Sequence, residues 1–225
     1  MTVAYNVRDV AERISQAAAR AGSRLEDIKL VAITKTVDIE MIREALNSGI
    51  RIFGENYLQE ARGKITAIGH GVEWHMTGHL QRNKARDAVN LFDMVQTIDS
   101  LELAQELDKR AKSADKVILG LIEINIGGEG SKSGIGEHEL IPLLDSIRVM
   151  NNLTIQGLMT IPPYFDDIEK VRPYFKRLRD LRDAANNEGY SLKELSMGMS
   201  HDFEIAVEER ATIVRIGTAI FGERR

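Results

Sequence analysis

Val117-Ile118-Leu119-Gly120-Leu121, inside a longer run over 116–126, carries no polar side chain. A strand with one wet face alternates apolar and polar residues. An unbroken apolar run therefore predicts a strand buried on both faces, as in a parallel sheet covered by helices. Comparable short runs lie at 29–34, 51–54, 73–77, 93–98, 154–161, 194–198 and 213–217. Helix-like segments separate them at 39–48, 57–68, 82–90, 101–112, 137–150, 168–187 and 203–209. Strict alternation of this kind predicts βαβ units with right-handed crossovers. Eight such units need about 200 to 250 residues as a (β/α)8 TIM barrel, and the chain has 225. The alternative is an open doubly wound sheet, which usually has fewer strands and a glycine-rich first turn. Ahead of the first strand, Val3, Val7, Val10, Ala11, Ile14, Ala17, Ala18 and Ala21 recur at helical spacing. They predict an additional N-terminal helix over about 3–21, stopping near Gly22. The barrel then occupies about 29–222. Pro142, Pro162, Pro163 and Pro173 fall near helix starts or in loops and mark no boundary. The reading is a single domain over 1–225.

Composition narrows the function. Hydrophobic residues are 43% and charged residues 28%, ordinary for a soluble globular chain. No run approaches the roughly 20 apolar residues that span a bilayer. Residues 1–20 mix acids and polar groups, which does not fit a signal peptide. Thirty basic against 34 acidic residues give a net charge of −4, a poor match to nucleic acid or to an anionic membrane. The absence of cysteine excludes disulfides, thiol nucleophiles, iron–sulfur clusters and cysteine-ligated zinc. A cytoplasmic location is expected.

Several motifs fail on inspection. Gly127-Gly128-Glu129-Gly130-Ser131-Lys132-Ser133-Gly134 resembles a phosphate loop, but Ser131 stands where glycine should precede Lys132, and Ser133 stands where GxGxxG needs its third glycine. His75 and His79 are four apart but flank a predicted strand end, and no HExxH is present. Consecutive Ser200-His201-Asp202 cannot converge as nucleophile, base and orienter; capping of a following helix by Ser200 or Asp202 fits better.

What remains lies at the C-terminal ends of the strands, where this fold places its chemistry. Leu30-Val31-Ala32-Ile33-Thr34 leads into Lys35, which by alternation shares a face with Val31 and Ile33. Burial disfavours the charged form of an amine, and a partly neutral amine is what a Schiff base requires. Snorkelling of Lys35 to solvent is the plainer possibility. Leu195-Ser196-Met197-Gly198-Met199-Ser200 ends the seventh strand, and Val214-Arg215-Ile216-Gly217-Thr218 ends the eighth. Hydroxyls and small residues after strands seven and eight form the usual phosphate site of the barrel. Arg215 sits between two apolar neighbours in a strand that should be buried. It must be paired or hydrogen-bonded, either to a carboxylate of a neighbouring strand or to a ligand. An imine-forming lysine, a phosphate cradle and a buried donor together describe a pyridoxal 5'-phosphate site.

The residues also carry a family resemblance. Val31-Ala32-Ile33-Thr34-Lys35, Phe53-Gly54-Glu55-Asn56-Tyr57, Gly78-His79-Leu80-Gln81-Arg82-Asn83-Lys84, Ser131-Lys132-Ser133-Gly134, Gly157-Leu158-Met159-Thr160-Ile161, Leu195-Ser196-Met197-Gly198-Met199-Ser200 and Arg215-Ile216-Gly217-Thr218 resemble the YggS/PROSC family of pyridoxal-phosphate-binding homeostasis proteins. The resemblance runs in order along nearly the whole chain. It implies a fold-type III barrel like the N-terminal domain of alanine racemase, with the cofactor on Lys35 as an internal aldimine. It further implies phosphate contacts from Ser200, Gly217 and Thr218 with Ser196 nearby, Arg215 facing the pyridine nitrogen, Asn56 and His79 around the ring, and Lys132 near the cofactor entrance. Thr34 stands where the family often has serine, which keeps the hydroxyl.

Such a site binds a cofactor without equipping it strongly for turnover. An arginine at the ring nitrogen cannot accept a proton, which weakens the electron sink. Racemases resembling this barrel add a second domain with a tyrosine base, for which 225 residues leave no room. The expectation is therefore intracellular storage, buffering or delivery of pyridoxal phosphate to apo-enzymes by a monomer. The alternatives are a weak amino-acid racemase on the same site and an imine-forming enzyme acting on sugar phosphates.

Overall fold

In the computed structural model, which describes residues 2–69, 71–128 and 133–223, the apolar runs become eight parallel strands. They are β1 Lys29–Ile33, β2 Ile52–Glu55, β3 Glu73–Met76, β4 Met94–Ile98, β5 Ile118–Glu123, β6 Leu153–Met159, β7 Glu194–Ser196 and β8 Ile213–Ile216. The strands pair in chain order into a closed barrel. Its seam is β1 on β8, through Lys29↔Ile213, Leu30↔Val214, Val31↔Arg215 and Ala32↔Ile216. The expected (β/α)8 barrel is what forms.

Around it lie α1 Val3–Arg20, α2 Ile39–Asn47, α3 Leu58–Ile68, α4 Ala85–Leu91, α5 Leu101–Ser113, α6 Leu140–Ile147, α7 Arg172–Asn187, α8 Phe203–Glu208 and the single turn α9 Thr218–Phe221. The extra helix α1 starts where Thr2 accepts a hydrogen bond from the Tyr5 N–H. It buries Val3, Val7, Val10, Ile14, Ala17 and Ala18 and packs on α2, α8 and α9. Three expected helices begin with a tighter 3-10 turn, at Arg82–Lys84, Glu137–Glu139 and Ile168–Val171. Two of these lead into helices with Pro142 or Pro173 in the first turn, where a missing N–H costs nothing.

Alternation along the strands sorts the apolar residues into two sets. The larger set fills the layer between sheet and helices. The smaller fills the barrel itself: Val31, Met94, Leu121, Met159 and Ile213, with Ile33, Ile52 and Leu119 against them. Within the same barrel lie buried His75, Gln96, Glu123, Ser196 and Arg215. A polar layer in an apolar interior has to be satisfied from within or by a ligand.

Candidate functional site

The chain leaves β1 through a turn closed by the Val37 N–H on the Thr34 carbonyl at 2.9 Å, and half-buried Lys35 occupies that turn. Lys35 lines a cavity of about 250 Å³ together with Ile33, Asn56, Ser200, Arg215, Gly217 and Thr218. Two glycines let neighbouring segments approach closely. A Cβ on Gly78 would lie 2.6 Å from the Asn56 carbonyl oxygen, so glycine there lets the loops after β2 and β3 touch. Gly198 takes φ +90°, and its Cβ would meet that of Ala206 at 2.5 Å. That bend sends the chain from β7 towards Ser200.

Ser200 does not cap its own helix. Its Oγ accepts from the N–H groups of Gly217 and Ala219, both at 3.2 Å, so two backbone donors from the β8–α9 turn converge on one hydroxyl oxygen. Donors arranged this way suit an oxyanion. Asp202 caps backwards, accepting from the Met199 N–H at 2.7 Å. On the outer rim the Tyr164 ring stacks on His201, with centroids 5.1 Å apart.

Arg215 forms the deep end of the cavity. It is 4% exposed and donates to Ser196 Oγ at 2.5 Å and to the Thr160 carbonyl at 2.9 Å. The Ser196 hydroxyl donates in turn to Gln96 Oε1 at 2.6 Å, and Gln96 Nε2 meets His75 Nδ1 at 2.8 Å. The amide N–H can only donate, so His75 accepts at Nδ1 and carries its proton on Nε2. The hydrogen bonds of Arg215 thus run to neutral oxygens, and of the two kinds of partner the sequence left open, a neighbouring carboxylate is not among its hydrogen-bond partners within the described residues. Burial pushes the guanidinium down to about 10, against the attraction of Glu123 and Asp202. Glu123 is pushed up to about 7 by burial, reinforced by Asp99 and opposed by Arg215. Its Oε2 has no hydrogen-bond partner among the described residues.

Of the residues singled out in the sequence, Lys35, Asn56, Ser200, Arg215, Gly217 and Thr218 meet in this one cavity. Ser196 lies beneath it, fully buried and bonded to Arg215. His79 turns to a neighbouring cavity of about 520 Å³ that shares Asn56 with the first, its Nδ1 being 3.1 Å from Asp99 Oδ2. Lys132 falls outside the described residues. Thr77, Ile161, Met199 and His201 also line the Lys35 cavity and were not anticipated. Gln96 and Glu123 were readable in principle, because each is a polar residue interrupting an apolar run, the signal that had marked Arg215. No cluster of three or more metal-ligating side chains occurs among the described residues, and no described helix is long and apolar enough to cross a membrane.

The model of the alanine racemase N-terminal domain matches residues 5–225. The pyridoxal phosphate homeostasis protein of Aquifex aeolicus (strain VF5) is 44% identical over 227 residues, covering all of both chains. This chain belongs to the pyridoxal phosphate homeostasis protein family. A solved structure of PipY from Synechococcus elongatus PCC7942 with PLP bound is 33% identical, with a TM-score of 0.83 over 95% of this chain and 100% of that one. The alanine racemase of Clostridium difficile 630 in complex with cycloserine superposes with a TM-score of 0.78 at 16% identity, over 97% of this chain and 60% of the racemase. The family therefore shares its barrel with the racemases.

Proposed function

We propose that Lys35 holds pyridoxal 5'-phosphate covalently, with the phosphate on Ser200, Gly217 and Thr218, the ring nitrogen towards Arg215, and Asn56 beside the ring. The protein serves in pyridoxal phosphate homeostasis. The observation that carries the assignment of residues is their meeting in a single cavity although they come from both ends of the chain. The donor set fits the cofactor: an amine on one wall, a hydroxyl and two backbone N–H groups on another, and a guanidinium with no proton-accepting site at the bottom. Ser196 acts from below, holding Arg215 in place, and His79 serves the adjoining cavity.

Pyridoxal phosphate joined to an amine supplies an electron sink. Arg215, fixed by Ser196 and the Thr160 carbonyl, offers donors only, so it cannot share a proton with the ring nitrogen as a carboxylic acid would. The site holds and orients the cofactor and does not strengthen its pull on electrons. Storage, buffering or delivery to apo-enzymes follows, and we place this work in the cytoplasm with a monomeric protein. Neither a racemase nor a sugar-phosphate enzyme is favoured: the relative matching over the full length is named for homeostasis, and the likeness to racemases is one of fold.

The test is the visible spectrum of the purified protein with added cofactor, before and after borohydride, followed by peptide mass. A yellow protein that bleaches, with the label on Lys35, is expected. A protein that stays colourless, or a label confined to another lysine, sinks the assignment. Light scattering checks the monomer. Stopped mixing with an apo-enzyme, compared with release into buffer, checks delivery.

A further inference from the structure

The residues on either side of Lys35 are tied to one cluster of charges, buried at Glu55 and Lys64 and part exposed at Glu60. Thr34 Oγ1 donates to Glu55 Oε1 at 2.6 Å, and the Thr34 carbonyl accepts from Lys64 Nζ at 2.5 Å. On the other side of Lys35, the Thr36 N–H donates to Glu60 Oε1 at 2.6 Å. Lys64 joins the two halves, its Nζ also lying 2.8 Å from both Glu55 Oε1 and Glu60 Oε1. Lys64 and Glu55 are 6% and 0% exposed. An ammonium taken that far out of water repays its desolvation only when its partners are closely placed, and here three oxygens surround it, one from the turn after β1, one from β2 and one from α3.

The backbone supplies a second observation. Thr36 has φ +61°. For a β-branched residue this is a true outlier, and it persists only where its surroundings impose it. At this residue the backbone N–H is held by Glu60. The reversal at Thr36 immediately follows the residue whose side chain lines the cavity.

We propose that Glu60 and Lys64 are positioning residues for Lys35. Acting through Thr34 and Thr36, they fix the turn that carries Lys35, so its amine is presented to an aldehyde entering the cavity. The inference rests on Lys35 being the attachment residue. In that attachment a C=N bond forms between Lys35 Nζ and the aldehyde carbon. The carbonyl oxygen leaves as water, and nothing is oxidised or reduced. Misplacement of an attacking group by remote changes can slow such steps tenfold to a hundredfold. A merely structural cluster, holding α3 to the barrel, would alter melting temperature without altering attachment in the folded protein.

The experiment mixes cofactor-free protein with pyridoxal phosphate and follows the rise of the visible band, with affinity from titration and melting temperature measured alongside. Glu60→Ala should slow attachment and weaken affinity by roughly tenfold or more. Glu60→Gln keeps an acceptor for the Thr36 N–H and should stay much nearer the unsubstituted protein. Combining Glu60→Ala with Thr36→Gly should recover a large part of the loss, because glycine holds a positive φ without an anchor. Should Glu60→Ala fail to fold, Glu60→Asp replaces it, withdrawing the oxygen from Thr36 by one methylene while keeping the charge beside Lys64. A folded Glu60→Ala or Glu60→Asp with unaltered rate and affinity overturns the proposal, as does a double variant no better than Glu60→Ala. Borohydride labelling of the unsubstituted protein is read separately: a label away from Lys35 removes the attachment site itself, whatever the variants do.

Discussion

Arg215, Gln96 and Glu123 each interrupt an apolar strand, and their fates differ. Arg215 and Gln96 have hydrogen-bond partners inside the barrel, whereas Glu123 keeps one buried oxygen without a partner among the described residues. Because burial raises Glu123 from 4.5 to about 7, the folded protein takes up a proton that the unfolded chain releases between those values. Stability from this group is complete below about pH 4.5 and is lost as pH climbs through 7, a loss of about 3 kcal/mol at 1.36 kcal/mol per unit. In the cofactor-free protein, Glu123→Gln should therefore gain stability over the unsubstituted protein from pH 5 to pH 8. Urea denaturation at a series of pH values measures the difference, and a constant difference between the two proteins would assign the proton elsewhere. In the Lys35 cavity, hydrogen bonds to a charged group contribute about 1.5–3 kcal/mol each. Ser200→Ala combined with Thr218→Ala should thus weaken binding of pyridoxal phosphate by a few kcal/mol and leave binding of pyridoxal almost unchanged. Equal losses for both ligands would put the phosphate somewhere else.

At the scale of elements, the strands were readable because a strand buried on both faces is mostly apolar, so each appears as an apolar run even where a polar residue such as Gln96, Glu123 or Arg215 is buried within it. Expected and observed strand ends agree to within a few residues; for β5 the run at 116–126 contracts to Ile118–Glu123. Helix starts were less legible: the 3-10 turns before α4, α6 and α7 share the residue types of the helices they open. The cavity was legible where a residue followed a strand by simple alternation, as Lys35 follows Val31 and Ile33. It was illegible where a loop decided the matter. His79 leans towards Asp99 after β4, and Ile161 and His201 reach the cavity from loops whose course no periodicity encodes. One loop can be tested directly. Gly198→Ala would place a Cβ 2.5 Å from that of Ala206 at a φ of +90°, a conformation that alone costs an L-residue about 1–2 kcal/mol. The variant should lose at least that much stability in urea denaturation. It should also lose affinity for the cofactor, because the bend delivers Ser200; intact affinity would separate the bend from the cradle.

For the molecule as a whole, the decisive feature is where the cavity sits on the barrel. β1 and β8 are the two ends of the sheet, and closure depends on their pairing across the seam. Lys35 follows β1, while Gly217 and Thr218 follow β8 and Ser200 follows β7. A ligand attached to Lys35 and held by the turns after β7 and β8 would span that seam, joining the first βα unit to the last two. A ligand that binds only the folded state stabilises it by about 2.7 kcal/mol at a hundredfold excess over its dissociation constant. Bridging adds a local expectation to this global one. On saturation with pyridoxal phosphate, amide hydrogen exchange should slow most in Lys29–Ile33 and Ile213–Ile216, and less in Met94–Ile98 and Ile118–Glu123 on the far side of the barrel. Lys35→Ala retains the phosphate cradle but loses the covalent tie, so it should keep part of the protection on β8 and lose most of that on β1. Protection spread evenly over all the strands would mean that the ligand tightens the fold without closing the seam, and would detach the binding site from the pairing of the two chain ends.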